Sequence, residues 1–154
     1  MMATQDVGVF AKSATSYIEQ IGGSAPEIGI PYLSEDKEMM ILNYTGAIGI
    51  SGPVKGAIYV TADIPFLKEL YRKMFGSDPE NDNLLGDIIA EMVNTIAGNA
   101  QAVFGEQYMI SLPLVFRNVQ GISQINMHEP TYVIPIRWQT HNIFLVMGVE
   151  RTTK

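Results

Sequence analysis

Glu91 and Asn94 are the residues of this sequence whose types and spacing are best suited to chemistry on another molecule. They lie three residues apart in the segment GDIIAEMVNTIAGNAQ, residues 86–101. Residues three apart are neighbours on a helix surface, so the two side chains can reach the same point in solution. A carboxylate accepts hydrogen bonds and a carboxamide both donates and accepts them. The pair can therefore form hydrogen bonds with one external polar group.

The segment around this pair is predicted to form an amphipathic helix that begins near Leu84. At about 100° per residue, its apolar residues fill a wide arc that we expect to face a sheet. The opposite side collects Glu91 and Asn94 together with Asp87, Thr95 and Gly98. The apolar arc consists of Leu85, Ile88, Ile89, Met92, Val93, Ile96, Ala100, Val103 and Phe104.

A polar helix side has a purely structural explanation, because any helix that faces solvent carries polar residues there. Two residues favour a binding role. Asn is a poor mid-helix residue since its side chain competes for backbone hydrogen bonds, and Gly98 costs about 1 kcal/mol relative to Ala in a helix interior. Gly98 stands one turn beyond Asn94 and bares a patch of backbone, as expected where another molecule approaches closely.

Composition predicts one globular domain that spans residues 1–154, with 47% hydrophobic and 17% charged residues. The net charge of -6 argues against a nucleic-acid partner and against an anionic membrane surface, since both require clustered Lys and Arg. Without cysteine there is no disulfide, thiol nucleophile or thiolate metal site. The start lacks a signal-peptide pattern and the longest apolar run is too short to span a membrane, so we expect a cytoplasmic protein.

The rest of the chain is predicted to form helices and antiparallel strands. Helical spacing is present in residues 5–21, which end at Gly22-Gly23, and in residues 66–75 behind Asp63 and Pro65. Alternating and β-branched runs predict strands at residues 38–51, 54–63, 108–116, 121–127, 131–140 and 142–150. Turns are predicted at Gly52-Pro53, Asn118, Gly121, Pro130 and His141-Asn142.

An internal repeat relates the two halves. IGIPYL from Ile28 and ISLPLV from Ile110 share the pattern I-x-[IL]-P-x-[LV] at an offset of 82 positions. The same offset lays residues 5–20 over residues 87–102, with apolar positions on apolar positions. The repeat predicts an α+β fold, in which helix plus strands occur twice and form one antiparallel sheet with packed helices. Glu91 and Asn94 align with Val9 and Lys12, so only the second copy carries the polar pair.

Glu91-x-x-Asn94 followed by TIAGNA resembles the E-x-x-N signature helix of the CheC/CheX/FliY phosphatases of bacterial chemotaxis. The segments ISLPLVF and GISGPVKGAIYV…FLKELYRKMFG also fit that pattern, so the resemblance covers most of the chain. One signature helix with a degenerate first copy resembles CheX more than CheC, which usually carries two. Ala90 stands where many relatives have Gly, and Thr95 where Met is frequent, which leaves the affinity for the partner open.

The resemblance implies a CheC-like two-layer fold and dephosphorylation of a phosphorylated CheY-like response regulator at its aspartyl phosphate. It implies that Asn94 holds a water in line with the phosphoryl group, and that Glu91 accepts a charged hydrogen bond from the regulator's active-site Lys. Asp87, Thr95 and Gly98 would line the contact. No cofactor of the chain's own is implied, since magnesium would be held by the regulator. A homodimer formed through the sheet is implied as well.

Two other interpretations of the polar pair remain open. The chain could be a non-catalytic docking module for response regulators or flagellar-switch components, which would bind without changing the lifetime of the phosphate. It could also be a structural domain in which Glu91 and Asn94 are merely solvated. Substitution of these residues would then alter neither stability nor any interaction.

Other constellations have little support. The glycine-rich residues 46–56 carry Pro53 where a dinucleotide-binding helix would begin, so hairpin glycines are the better explanation. His128, Glu129 and His141 come from separate strands or turns without helical spacing, so a metal site is not expected. No serine lies in a G-x-S-x-G pattern.

Overall fold

A computed structural model describes residues 4–34, 40–118, 125 and 127–152. The first half contains α1 (Thr4–Gly22), β1 (Glu27–Ile28), β2 (Tyr32–Ser34), β3 (Tyr44–Ser51), β4 (Val54–Ala62) and α2 (Ile64–Phe75). The second half contains α3 (Asn83–Asn99), α4 (Gln101–Phe104), β5 (Met109–Ile110), β6 (Leu114–Arg117), β7 (Thr131–Trp138) and β8 (His141–Arg151). In the described ranges, no helix has the length and apolarity that crossing a membrane requires.

The described strands form one antiparallel sheet in the order β1-β7-β8-β4-β3-β5, with β2 also paired to β7 and β6 also paired to β3. One face of the sheet carries alternate apolar side chains such as Ile48, Ile58 and Leu145, which form the main core with α1, α2 and α3. The opposite face carries a smaller cluster around Tyr59, Phe116 and Val146. This arrangement confirms the predicted α+β fold and its antiparallel sheet with packed helices.

The internal repeat reappears in the sheet as an approximate two-fold relation. β1 and β5 are both two residues long and lie 82 positions apart, and β2 and β6 begin 82 positions apart at Tyr32 and Leu114. The short strands of each half pair with the hairpin of the other half. β1 and β2 pair with β7 of the second half, whereas β5 and β6 pair with β3 of the first half. The two halves meet at the β4–β8 pair. Because the edge strands are exchanged, neither half completes its sheet alone.

Several predicted boundaries differ from the structure. The predicted strand at residues 108–116 is divided into β5 and β6 around Pro113, which has no N–H for the ladder. The β7–β8 turn lies at residues 139–140, where Gln139 adopts a φ of 56°, and His141-Asn142 belongs to β8. Residues 40–43 are not strand. Most of the predicted strand at residues 121–127 and the turn at Gly121 lie outside the described residues.

An ion pair between the buried carboxylate of Asp6 and the exposed guanidinium of Arg151 ties the two ends of the described chain together. The guanidinium of Arg151 donates to both carboxylate oxygens of Asp6, at 2.8 and 2.9 Å. Asp6 is 1% exposed, and its hydrogen bond raises the pKa of Arg151. The guanidinium also lies 5.3 Å from the ring centroid of Phe104 at the end of α4. The pair therefore joins the start of α1, the end of β8 and the segment that follows α3.

The close approach of α3 to the sheet depends on Gly46 of β3. A Cβ at this position would lie 2.8 Å from the carbonyl oxygen of Ile89 and 3.1 Å from Cγ1 of Val93. The backbone of α3 therefore rests directly on the strand. Both ends of the helix are also held by tyrosine hydroxyls, since Tyr44 donates to the carbonyl of Asp82 at 2.9 Å and Tyr108 to the carbonyl of Ala97 at 2.7 Å.

Gly46→Ala is expected to lower the free energy of unfolding by about 1–3 kcal/mol, because the new methyl group must push α3 away from β3. Urea unfolding measures the change. Gly49→Ala is the matched control on the same strand, since its Cβ would meet only the side chain of Ser111, with Oγ at 3.4 Å and Cβ at 3.8 Å. The control should stay within about 0.5 kcal/mol of wild type or exceed it. Equal stabilities for the two variants would show that α3 does not need the glycine.

Candidate functional site

The helix α3 is a rigid platform because one side of it is fully packed. Its apolar residues lie against β3 and β4 and between α1 and α2. The predicted apolar arc is correct from Leu85 to Ala100 and at Phe104, and Ala97 also belongs to it. The buried residues of α3 are Leu85, Ile88, Ile89, Met92, Val93, Ile96 and Ala97.

Val103 departs from the predicted arc, since it is 61% exposed. The chain tightens after α3, where the N–H of Ala100 bonds to the carbonyl of Ala97 and the N–H of Val103 to that of Ala100. Such three-residue hydrogen bonds shift the positions that follow around the helix axis. The single helix predicted through Phe104 is therefore two helices, and the outer side of α3 ends at Asn99.

All five predicted site residues lie together on the solvent side of α3. Asp87, Glu91 and Asn94 are exposed, and Thr95 and Gly98 are half-buried. The side chains of Asp87, Glu91, Asn94 and Thr95 make no hydrogen bond or ion pair within the described part of the chain. Their polar groups are thus available to another molecule, while the backbone that carries them is fixed by the core.

The α1 flank of this polar side is closed by contacts between helices. Asn99 Nδ2 donates to Ser13 Oγ at 3.2 Å. One turn further along α1, Tyr17 is buried, and its hydroxyl has no hydrogen-bond partner among the described residues. Burial raises the pKa of Tyr17, and the negative charge of Glu91 raises it further. Tyr17 was not among the predicted site residues, because nothing in the sequence shows that it is buried beside α3.

The other flank is apolar and open. A groove of about 250 Å³ runs between the end of α3 and β5, lined by Gly98, Gln101, Tyr108, Met109 and Ile110. A Cβ on Gly98 would meet only Ile110 Cδ1, at 3.9 Å. The fold itself therefore has room for a side chain at this position. The half-exposed glycine leaves bare backbone beside the groove, as an approaching molecule would require.

The candidates that were set aside lie elsewhere. Residues 46–56 form the β3–β4 hairpin, as predicted for its glycines. His128 Nε2 lies 2.9 Å from a carboxylate oxygen of Glu150, whereas His141 stacks on Trp138 with ring centroids 6.2 Å apart. Glu150 and His141 are nine residues apart on β8, about 30 Å along an extended strand. The described residues contain no group of three or more His, Asp or Glu side chains that could hold a metal ion.

The arrangement suits chemistry on a macromolecule more than on an enclosed small molecule. Glu91 and Asn94 project from the outer side of a helix instead of lining a cavity. A projecting helix can enter a cleft on a partner and place a carboxylate and a carboxamide there. Because the helix is held by the core and by two tyrosine hydrogen bonds, little conformational freedom is lost when the partner binds.

Residues 44–137, well over half of the chain, match the family described as chemotaxis phosphatase CheX. This range contains α3 with both Glu91 and Asn94. A comparison with curated protein sequences gives no match.

Solved structures with CheX in their descriptions share the fold. The chain is 19% identical to a chemotaxis protein CheX from Vibrio vulnificus, with a TM-score of 0.82 over 96% of this chain and 100% of that one. A chemotaxis protein CheX from Desulfovibrio desulfuricans gives 20% identity and a TM-score of 0.81 over 95% and 99%. A chain of the CheX–CheY–BeF₃–Mg²⁺ complex from Borrelia burgdorferi gives 19% identity and a TM-score of 0.73 over 94% of this chain and 97% of that one.

Proposed function

Because the chain belongs to the CheX family of chemotaxis phosphatases, we propose that it hydrolyses the aspartyl phosphate of a phosphorylated CheY-like response regulator. This partner is supported by the description of the Borrelia complex, which contains a CheX and a CheY. In this proposal α3 enters the regulator's active site, and Asn94 and Glu91 are the residues that act there. The reaction would take place in the cytoplasm.

The observation that carries the proposal is the state of Glu91 and Asn94 on α3. Both side chains are exposed and have no partner among the described residues, whereas the helix that carries them is packed on its whole inner side. A surface that served only solubility would not need a mid-helix Asn or the costly Gly98 on the same side. A fixed helix with free hydrogen-bonding groups is what catalysis by orientation requires.

The proposed chemistry assigns little covalent work to this chain. The regulator supplies the Mg²⁺ ion and the Lys that stabilise the transferring phosphoryl group. The carboxamide of Asn94 holds a water molecule in line with the bond from phosphorus to the aspartyl oxygen. The water oxygen bonds to phosphorus as that bond breaks, the aspartate is regenerated as a carboxylate, and inorganic phosphate takes up the water proton.

Glu91 has a different task in this proposal. Its carboxylate accepts a charge-assisted hydrogen bond from the regulator's active-site Lys, which is stronger than a neutral one and fixes the position of the helix. Asp87 and Thr95 lie on either side of Glu91 and contact the regulator. The backbone of the regulator lies against Gly98 and in the groove beside it.

We also propose that the chain forms a homodimer through a sheet edge. Both edges carry exposed apolar residues at equivalent positions of the repeat, Ile30 at 88% exposure and Leu112 at 86%. Leu33 and Val115, also 82 positions apart, are 48% and 42% exposed. Apolar edge strands with unpaired backbone groups are templates for pairing with another chain.

Asn94→Ala should reduce the acceleration of phosphate loss by on the order of 100-fold, because the attacking water is no longer oriented. The measurement is the decay of a phosphorylated CheY-like regulator from the same organism with substoichiometric protein.

Glu91→Gln should mainly raise KM, by roughly tenfold or more, since it loses a hydrogen bond to a charged group. Asn83→Ala, an exposed Asn at the start of the same helix, is the control and should behave as wild type.

Two outcomes would overturn the catalytic proposal. If the wild-type protein binds such a regulator but its phosphate decays at the unassisted rate, the chain is a docking module. If substitution of Glu91 and Asn94 changes neither binding nor stability, the two residues are merely solvated.

Gly98→Ala should separate stability from binding. The methyl group has room and removes a helix glycine, so the free energy of unfolding should rise by up to about 1 kcal/mol. KM for the regulator should rise because the methyl group stands where its backbone approaches. Gly86→Ala is the control on the other side of α3, where a Cβ would meet Val115 Cγ1 at 3.5 Å. A wild-type KM for Gly98→Ala would remove Gly98 from the interface.

Sedimentation velocity tests the dimer and identifies its edge. We expect a dimer for wild type and a monomer for one of two charge substitutions, Ile30→Asp on the β1–β2 edge or Leu112→Asp on the β5–β6 edge. Each is the control for the other, since both residues are equally exposed. A monomeric wild type, or a dimer that survives both substitutions, contradicts dimerisation through a sheet edge.

A further inference from the structure

The hydroxyl of Tyr17 is an exception in an otherwise well-paired interior. Tyr17 is 4% exposed, and its oxygen is the one buried side-chain nitrogen or oxygen without a hydrogen-bond partner in the described ranges. Other buried tyrosines donate to carbonyls, as Tyr59 does to Met40 at 3.1 Å and Tyr108 to Ala97 at 2.7 Å. A buried polar group without a partner is unfavourable, so its retention calls for an explanation.

Tyr17 lies beside the polar side of α3. Ser13, one turn earlier on α1, is bonded to Asn99, and Glu91 lies two turns before Asn99 on α3. The charge of Glu91 also acts on Tyr17, as expected if the two helices run in opposite directions past the Asn99–Ser13 contact. The internal repeat gives the same result. It maps Ser13 onto Thr95 and Asn99 onto Tyr17, so the repeat predicts that Tyr17 lies opposite Thr95, one turn from Glu91.

We propose that Tyr17 is a positioning residue for Glu91, whose hydroxyl donates a hydrogen bond to the Glu91 carboxylate when the response regulator docks on α3. The inference rests on the proposed function of the same site. In the free protein Glu91 is exposed and its carboxylate is solvated. In this proposal docking removes that water, and a rotamer change of Glu91 brings its carboxylate to the unpartnered hydroxyl of Tyr17.

The hydroxyl is suited to this task in its protonation state as well as its place. Burial and the charge of Glu91 both raise the pKa of Tyr17, so the group keeps its proton and remains a donor at physiological pH. A bond from Tyr17 would hold the carboxylate in one rotamer while its second oxygen accepts the hydrogen bond from the regulator's Lys. This bond would replace a water molecule that the carboxylate loses on docking, so the desolvation of Glu91 would cost less.

Tyr17→Phe tests the proposal, because it removes the hydroxyl and keeps the ring. The free energy of unfolding should stay unchanged or rise, since the deleted group has no partner to lose. KM of the phosphorylated regulator, and Kd of the same regulator loaded with Mg²⁺ and beryllofluoride, should rise roughly tenfold. The value of kcat should stay within about twofold, because Asn94 is untouched.

Two controls separate positioning from packing. Tyr59→Phe removes a bonded hydroxyl on the opposite face of the sheet, so it should lower stability and leave KM unchanged. In a Glu91→Gln background, Tyr17→Phe should raise KM little further, since the positioned carboxylate is already gone.

The failures of the two proposals are distinguishable. If wild type accelerates phosphate loss and Tyr17→Phe keeps the wild-type KM and Kd, the positioning role is wrong while the proposed function stands. A full additional effect of Tyr17→Phe in the Glu91→Gln background also overturns it. If wild type binds the regulator without hydrolysis, Kd still tests Tyr17. If wild type neither binds nor hydrolyses, both proposals fall.

Discussion

The contact between Gly46 and the backbone of α3 is the constraint on which the rest of the site depends. Because β3 offers no side chain there, the carbonyl of Ile89 lies 2.8 Å from where a Cβ would be. This close contact fixes the distance of α3 from the sheet and its rotation about its own axis. It therefore also fixes the direction in which Glu91 and Asn94 project. The hydrogen bonds from Tyr44 and Tyr108 then fix the helix along its axis. The proposed catalysis depends on the orientation of the Glu91 and Asn94 side chains, and the packing of the core sets that orientation.

The repeat explains how one helix became specialised while its counterpart did not. α1 and α3 occupy related places, but α1 carries Val9 and Lys12 where α3 carries Glu91 and Asn94. The exchange of edge strands keeps both helices on one sheet, so α1 still forms a surface against which α3 packs. Ser13 and Tyr17 are part of that surface. The first copy therefore shapes the site without containing the polar pair.

Periodicity and the repeat were enough to predict the amphipathic helix that carries the site and the α+β fold. They also predicted that the five candidate residues lie on one side of that helix. They could not predict features set by tertiary packing. The burial of Tyr17 between two helices and the clash that requires Gly46 depend on which elements meet. The turn at Gln139 carries no glycine signal, although its φ is 56°, and the tightening after Asn99 that exposes Val103 leaves no mark on the apolar spacing.

In the proposed function, α3 acts inside the active site of a response regulator. The decisive measurement is a crystal structure of this chain bound to its CheY-like regulator, loaded with Mg²⁺ and beryllofluoride. We expect the Asn94 carboxamide at about 3 Å from a water in line with the phosphoryl mimic, with the Glu91 carboxylate hydrogen-bonded to the regulator's Lys. A complex in which α3 lies outside that active site, or in which Asn94 points away from the beryllofluoride, would contradict the proposed function.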